Sequence, residues 1–219
     1  MNGKLIVIDG IDGSGKTTQI ELLKKYFASQ GRILEVKVIS FPRYEDNLYG
    51  KLIRRYLEGE FGTTTQVNPY LVALAYAGDR VLAKPQVEAW LNKGKVVIAN
   101  RYVSSSKAHL GAHLPGEHYQ REEFMSWIDQ LEYQTNGLPK PDLTILLNVD
   151  PKIGQKNVAG KHKDIHEQDI QHLSEAAKIY LELSQAEENW QVVNCMEGDK
   201  MQTKEKIHQK ITAILNNLI

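Results

Sequence analysis

Apolar positions along this 219-residue chain gather into five short runs, at residues 5–8, 33–39, 96–99, 143–149 and 191–194. Four of them are rich in β-branched residues or bounded by turn residues, and stretches with helical spacing lie between them. That alternation predicts a three-layer α/β fold, a five-stranded parallel sheet with helices on both faces. Such a sheet takes its ligand beyond the carboxyl ends of its strands, beside the point where strand order reverses. The informative residues are therefore expected just after the runs, at 10–17, 41–44, 100–102 and 150–151.

Residues 47–57 predict a helix, and Asn68-Pro69 opens a longer one, with Asn68 as N-cap and Pro69 in the first turn. Pro85 predicts a kink or a fresh start, and Gly94 a close. Residues 111–118 read as a loop, 122–133 as a helix, and 136–141 as a connector in which Pro139 and Pro141 block helix continuation. Residues 154–166 are polar, rich in lysine and histidine and weakly periodic, which predicts a mobile flap; 170–183 and 201–218 predict helices. No repeat, low-complexity tract or linker divides the chain, so one domain over residues 1–219 is expected.

Lys plus Arg and Asp plus Glu both number 27, giving a formal charge of zero. That balance argues against a broad electrostatic footprint for polymeric nucleic acid or an anionic membrane, so any basic site is local. The single cysteine, Cys195, excludes an intrachain disulfide framework and reads as a small apolar residue near a strand end. The first strand follows directly on Met1-Asn2-Gly3-Lys4, and no apolar stretch approaches a membrane span, so a soluble cytoplasmic protein without a leader is expected.

Gly10-Ile-Asp-Gly-Ser-Gly-Lys-Thr17 fits G-x-x-x-x-G-K-[ST] and stands between a predicted strand and a predicted amphipathic helix. Gly10, Gly13, Ser14 and Gly15 supply a turn whose backbone N–H groups cradle phosphate. Lys16 adds a cation at the β- and γ-phosphates, and the Thr17 hydroxyl can reach Mg²⁺. Thr18 continues into a helix whose positive end faces the same anion. Asp12 puts a carboxylate inside this anion-binding loop, which costs Coulomb energy unless a cation or proton compensates. A role beside the transferring group follows, with a solvated turn aspartate as the alternative. Arg43 and Tyr44 follow the second strand and Arg101 the third, and guanidinium groups there suit a second phosphate. Tyr76 and Arg80, four apart on one helix face, can address one flat ligand or form an ordinary surface pair. The seven histidines show no zinc-site spacing.

Together these stretches resemble the thymidylate kinases, the nucleoside monophosphate kinases that transfer the γ-phosphoryl group of ATP to dTMP. The resemblance rests on residues 9–18, Phe41-Pro-Arg-Tyr44, Ala77-Gly-Asp-Arg80, residues 100–106, Gly137-Leu-Pro-Lys-Pro-Asp142 and a charged flap ending Asp164-Ile-His-Glu167. It implies a P-loop kinase fold, ATP as donor with Mg²⁺, and a homodimer. It implies that the loop from Gly10 holds the ATP phosphates, that Asp12 sits by the acceptor, and that Tyr44 and Arg101 hold the dTMP phosphate. Tyr76 takes the position that stacks on thymine, Arg80 the one that bonds the base carbonyl, and Ser106 the base edge. His109 and His166 are set beside the substrate on the same ground.

Three departures from the family pattern stand out. Asn100 replaces an aspartate that P-loop enzymes use for Mg²⁺ or its waters, so either Asp12, Thr17, phosphate and water carry the metal or activity is reduced. The family's catalytic arginine lies in the P-loop or the flap, and here Gly13 holds the one position while the flap offers only lysines, of which Lys161 and Lys163 are the candidates. His166 stands near the flap end where other polar residues occur. Two alternatives remain: a kinase of the same fold for another pyrimidine monophosphate such as dUMP, or a catalytically weakened nucleotide-binding protein. A guanine-nucleotide switch is disfavoured, since Asn92-Lys-Gly-Lys95 fails Asn-Lys-x-Asp at its last residue.

Overall fold

A computed structural model of the chain describes residues 3–29, 35–64, 66–114, 118–158 and 169–218. Strands β1 (Lys4–Asp9), β2 (Val36–Ser40), β3 (Val96–Asn100), β4 (Leu143–Asn148) and β5 (Trp190–Asn194) form one parallel sheet in the order β2-β3-β1-β4-β5. Ile8 and Ser40 both pair with Asn100, so three strands end at one level, and Asp9 pairs with Leu146 on the other side of β1. The order reverses at β1, and the loop that follows β1 therefore lies in the crevice where such sheets bind ligand.

Burial on both faces explains the continuous apolar runs. Leu5 and Val7 pack on one side with helices α2 (Leu48–Leu57) and α3 (Pro69–Asn92); Ile6 and Ile8 pack on the other with α1 (Lys16–Ser29) and α8 (Lys204–Asn216). Each of these side chains contributes about 1.5–3 kcal/mol by leaving water. Helix α4 (Val103–Gly111) follows β3, and α5 (His118–Asp129) runs directly into a π-helical turn, Gln130–Thr135. Helix α6 (Pro151–Asn157) follows β4, α7 (Ile170–Ala186) packs against α4, and a small hairpin, β6 (Met196–Glu197) with β7 (Lys200–Met201), precedes α8. Among the described residues no helix is long and apolar enough to cross a membrane.

Several boundaries differ from expectation. Asn47 and Asn68 cap α2 and α3 as their types predict, accepting from Gly50 N and Tyr70 N. Helix α3, however, neither stops nor restarts at Pro85: the proline faces solvent while Ala83 and Val87, buried on either side, keep the core stripe continuous. Helix α4 carries no amphipathic signal because all nine of its residues are buried. The segment expected as a helix from 201 starts with the hairpin strand, and α8 begins at Lys204, capped by Thr203. Residues 154–157, expected within the flap, complete α6, and Lys161, Lys163 and His166 lie outside the described residues.

The π-helical turn has a function in packing. It turns Glu132 inward to a buried ion pair with Arg80 of α3, each side chain 1% exposed. Removing one partner of a buried pair leaves an uncompensated charge, which costs about 3–5 kcal/mol. Glu132→Ala should therefore lower the urea midpoint far more than Glu60→Ala, which breaks the exposed pair with Arg55; equal losses would show that the buried pair carries no special weight.

Candidate active site

The loop after β1 wraps around Lys16. Its ammonium donates to the carbonyls of Gly10 at 2.9 Å and Ile11 at 2.8 Å, so the loop closes on its own cation at the mouth of α1. Gly13 has φ +75°, and a Cβ there would stand 2.0 Å from the Gly154 carbonyl oxygen of α6. Asn157 adds a bond from its amide to Gly13 O at 2.9 Å. Ser14 is fully buried, Gly10 and Gly15 complete the turn, and Thr17 and Thr18 are exposed at the first turn of α1. A cavity of about 780 Å³ opens here, lined by Gly13, Gly15, Lys16, Thr17, Thr18, Asn157, Met201 and Lys204 among others. That volume suits a nucleotide-sized ligand.

A second, narrower arm is lined by Tyr44, Tyr76, Arg101, Ser105, Ser106 and His109. Asp12, Pro42, Tyr44 and Arg101 line both, so the arms meet at these four residues. Arg101 pairs with Asp12 at that junction. Burial alone would raise the Asp12 carboxyl, but the Arg101 and Lys16 charges outweigh it and hold Asp12 well below the usual carboxylate range. Asp12 is an anion at any working pH.

Arg101 is the one non-glycine residue among those described with positive φ, at 65°. That conformation costs about 1–2 kcal/mol for an L-residue, and it lets the chain leave β3, donate Arg101 N to Ile8 O and turn the guanidinium into the junction. Behind it lies Asp9, fully buried at the end of β1. Its carboxylate accepts from Gly10 N at 2.9 Å, Ser104 Oγ at 2.6 Å, Ser105 Oγ at 2.7 Å and Tyr180 OH at 2.7 Å. Burial, reinforced by Asp9, pushes the Tyr180 phenol well up, so it stays a donor. Motif reading singles out none of Asp9, Ser104 and Tyr180 as functional; the only signal available is a carboxylate closing an otherwise apolar strand.

Two predicted site residues stand apart from the cleft surface. The Arg80 guanidinium is spent on Glu132, on Ser106 Oγ at 2.7 Å and on Tyr102 O at 3.2 Å, so it reaches the narrow arm only through Ser106. Arg43 is fastened to Asp79 by its backbone N–H at 2.9 Å and its Nε at 3.0 Å, and its Nη2 donates to Asp79 O. Asn100 lines the larger cavity, and its side-chain oxygen is buried with no hydrogen-bond partner among the described residues. Cys195 behaves as the small apolar residue its place suggests, with burial pushing its thiol up to about 12.

Comparison with known proteins points to one family. The family model described as thymidylate kinase matches residues 8–211. The chain belongs to the thymidylate kinase family. A thymidylate kinase of Mycobacterium tuberculosis is 31% identical over 187 residues, covering 82% of this chain and 85% of that one. A probable thymidylate kinase of Pyrococcus abyssi is 30% identical over 220 residues, covering 99% and 98%. The solved thymidylate kinase of Candida albicans superposes with a TM-score of 0.78 at 26% identity, covering 99% of this chain and 92% of that one. As a thymidylate kinase, the chain is an ATP-dependent nucleoside monophosphate kinase with a five-stranded α/β P-loop fold. Its reaction moves the γ-phosphoryl group of ATP to dTMP.

A histidine cluster flanks the narrow arm. The His113 ring lies 4.6 Å from that of His172, and burial, with His172 adding to it, lowers His113 to about 3. A histidine whose folded value lies below its unfolded value near 6.5 contributes stability that is present above pH 6.5 and lost as pH falls toward 3. Between pH 8 and pH 5 that loss is at most about 2 kcal/mol. His113→Leu should flatten the fall in urea midpoint over this range, and a fall as steep as in the parent would refute a buried neutral His113.

Proposed function

We propose that the kinase works by in-line transfer at the junction of the two arms, with ATP in the larger cavity and dTMP in the narrower. The observation that carries this reading is the shared lining of both arms by Asp12, Pro42, Tyr44 and Arg101, which supports a donor phosphate and an acceptor phosphate meeting there. Holding two reactants in line supplies much of the rate in such transfers, and fixed cations supply most of the rest.

In this reading the N–H groups of residues 13–18 and the Lys16 ammonium bind the β- and γ-phosphates. Arg101 and Tyr44 hold the phosphate of dTMP, and Arg101 exchanges its bond to Asp12 for the incoming dianion. Tyr76 stacks on the base, Ser106 meets its edge, and Arg80, clamped by Glu132, fixes Ser106 and the floor beneath it. Arg43, clamped by Asp79, shapes the loop that carries Tyr44. The Asn100 oxygen, the Thr17 hydroxyl and the freed Asp12 carboxylate line one cavity and suit a hard cation, so these three would hold Mg²⁺. When bound, that ion would neutralise phosphate charge during the transfer. Gly13 leaves no room for a side chain beside Gly154, so we assign the remaining cation at the transferred group to Lys161 or Lys163. His109 lines the acceptor arm, and His166 is proposed near the closed flap. We place the reaction in the cytoplasm, where ATP is supplied.

The test is ADP release with Mg²⁺ and ATP in the presence of dTMP, dUMP, dCMP, dGMP or no acceptor. A strong preference for dTMP is expected, together with a loss of at least about a hundredfold in Lys16→Ala. Release with dUMP instead would keep the fold and move the base contacts; ATP binding without release would favour the weakened nucleotide-binding reading.

A homodimer belongs to the same proposal. Leu48, Tyr49, Leu52, Leu71, Leu74 and Leu82, all on α2 and α3, account for most of the large exposed apolar side chains among the described residues. An apolar face of this kind is what an interface between copies buries. Light scattering should give twice the chain mass, and Leu71→Glu with Leu74→Glu should give the single-chain mass with an unchanged circular dichroism spectrum; a parent of single-chain mass would end the proposal.

A further inference from the structure

Arg101 is placed by more than its ion pair. Its Nη1 approaches His109 Nε2 of α4 at 3.0 Å, with Gly10 O at 3.3 Å, Ser105 Oγ at 3.4 Å and Tyr180 OH at 3.5 Å more distant. A guanidinium has donors and no acceptor, so the short contact exists only when His109 Nε2 carries a lone pair. The proton of a neutral His109 is then on Nδ1, and Nδ1 lies 3.3 Å from His172 Nε2 on the first turn of α7. His172 in turn must present a lone pair at Nε2. One set of tautomers fits both contacts of His109, with Arg101 and with His172.

The row is held on every side. His109 is 7% and His172 4% exposed, the Tyr180 ring stands edge-on to His109 with centroids 5.9 Å apart, and Asp169 caps α7 by accepting from Gln171 N and His172 N. Were His109 to carry its proton on Nε2 instead, an N–H would face the guanidinium, and the shortest neutral contact of Arg101 would become a repulsion.

We propose that His172 is a positioning residue for the phosphoryl acceptor: it receives the Nδ1 proton of His109 and so keeps the His109 Nε2 lone pair on Arg101. The kinetic part rests on the placement of Arg101 at the dTMP phosphate. His172 touches no substrate in this account and acts only through His109.

The test uses the full chain with three readouts. Long-range ¹⁵N NMR of the imidazole nitrogens should show His109 as the Nδ1–H tautomer in the parent and a mixture in His172→Leu. In that variant KM for dTMP should rise about fivefold, the order of one net hydrogen bond, with KM for ATP unchanged. His172→Gln, whose amide oxygen can stand near the Nε2 position, should restore both. In a His109→Gln background, His172→Leu should add nothing further. An Nε2–H tautomer of His109 in the parent, parental dTMP kinetics in His172→Leu, or equal rises in both KM values would overturn the proposal. Arg101→Ala, assayed in parallel, separates the two failures: an unchanged KM for dTMP there would overturn the phosphate role of Arg101 and the kinetic part with it, while the tautomer result would still decide the His172 contact.

Discussion

A carboxylate with no exposure must be surrounded by donors or it destabilises the fold that buries it. Asp9 sits at the end of the central strand in that condition, and much of the site is arranged around satisfying it. Gly10 N turns inward to it, which starts the phosphate loop; Ser104 and Ser105 reach it from the first turn of α4; Tyr180 reaches it from α7. Three separate stretches are thereby brought to one point, and Arg101 lies between them with its nearer nitrogen 3.9 Å from Asp9.

The strained backbone of Arg101 follows from the same arrangement. The chain leaves β3 level with the phosphate loop and must begin α4 at once so that its serines meet Asp9, which leaves only Arg101 and the N-cap Tyr102 for the turn. In the proposed reaction the ion pair with Asp12 works as a placeholder. An arginine already desolvated and fixed in direction exchanges one anion for another at lower cost than a free side chain pays to become ordered.

What could be read from the chain depended on distance along it. The phosphate loop is contiguous, and its glycines, Lys16 and Thr17 carry their chemistry locally, so that part of the site and the α/β architecture were visible in the spacing of residue types. Arg43 was legible as an arginine after a strand and Arg80 as one on a helix face, but what they hold was not: Glu132 is 52 residues from Arg80, and Asp79 is 36 from Arg43. Helix α4 escaped detection because a helix buried all round has no polar face, and the hairpin before α8 because two-residue strands leave no periodicity. Asp9 shows the limit most clearly, since its meaning lies in four donors, the farthest of them 171 positions along the chain.

The contact between Gly13 and Gly154 bears on how this sequence can change. Neither residue has space for a Cβ, because Gly13 would meet the Gly154 carbonyl and Gly154 the Asp12 carbonyl at 2.6 Å. The two positions, 141 residues apart, are one constraint: a side chain enters at either only after α6 has withdrawn from the loop. A lineage carrying this pair thus keeps a bare turn at the tip of the phosphate loop, and single substitutions at 13 are closed to it until the helix has moved.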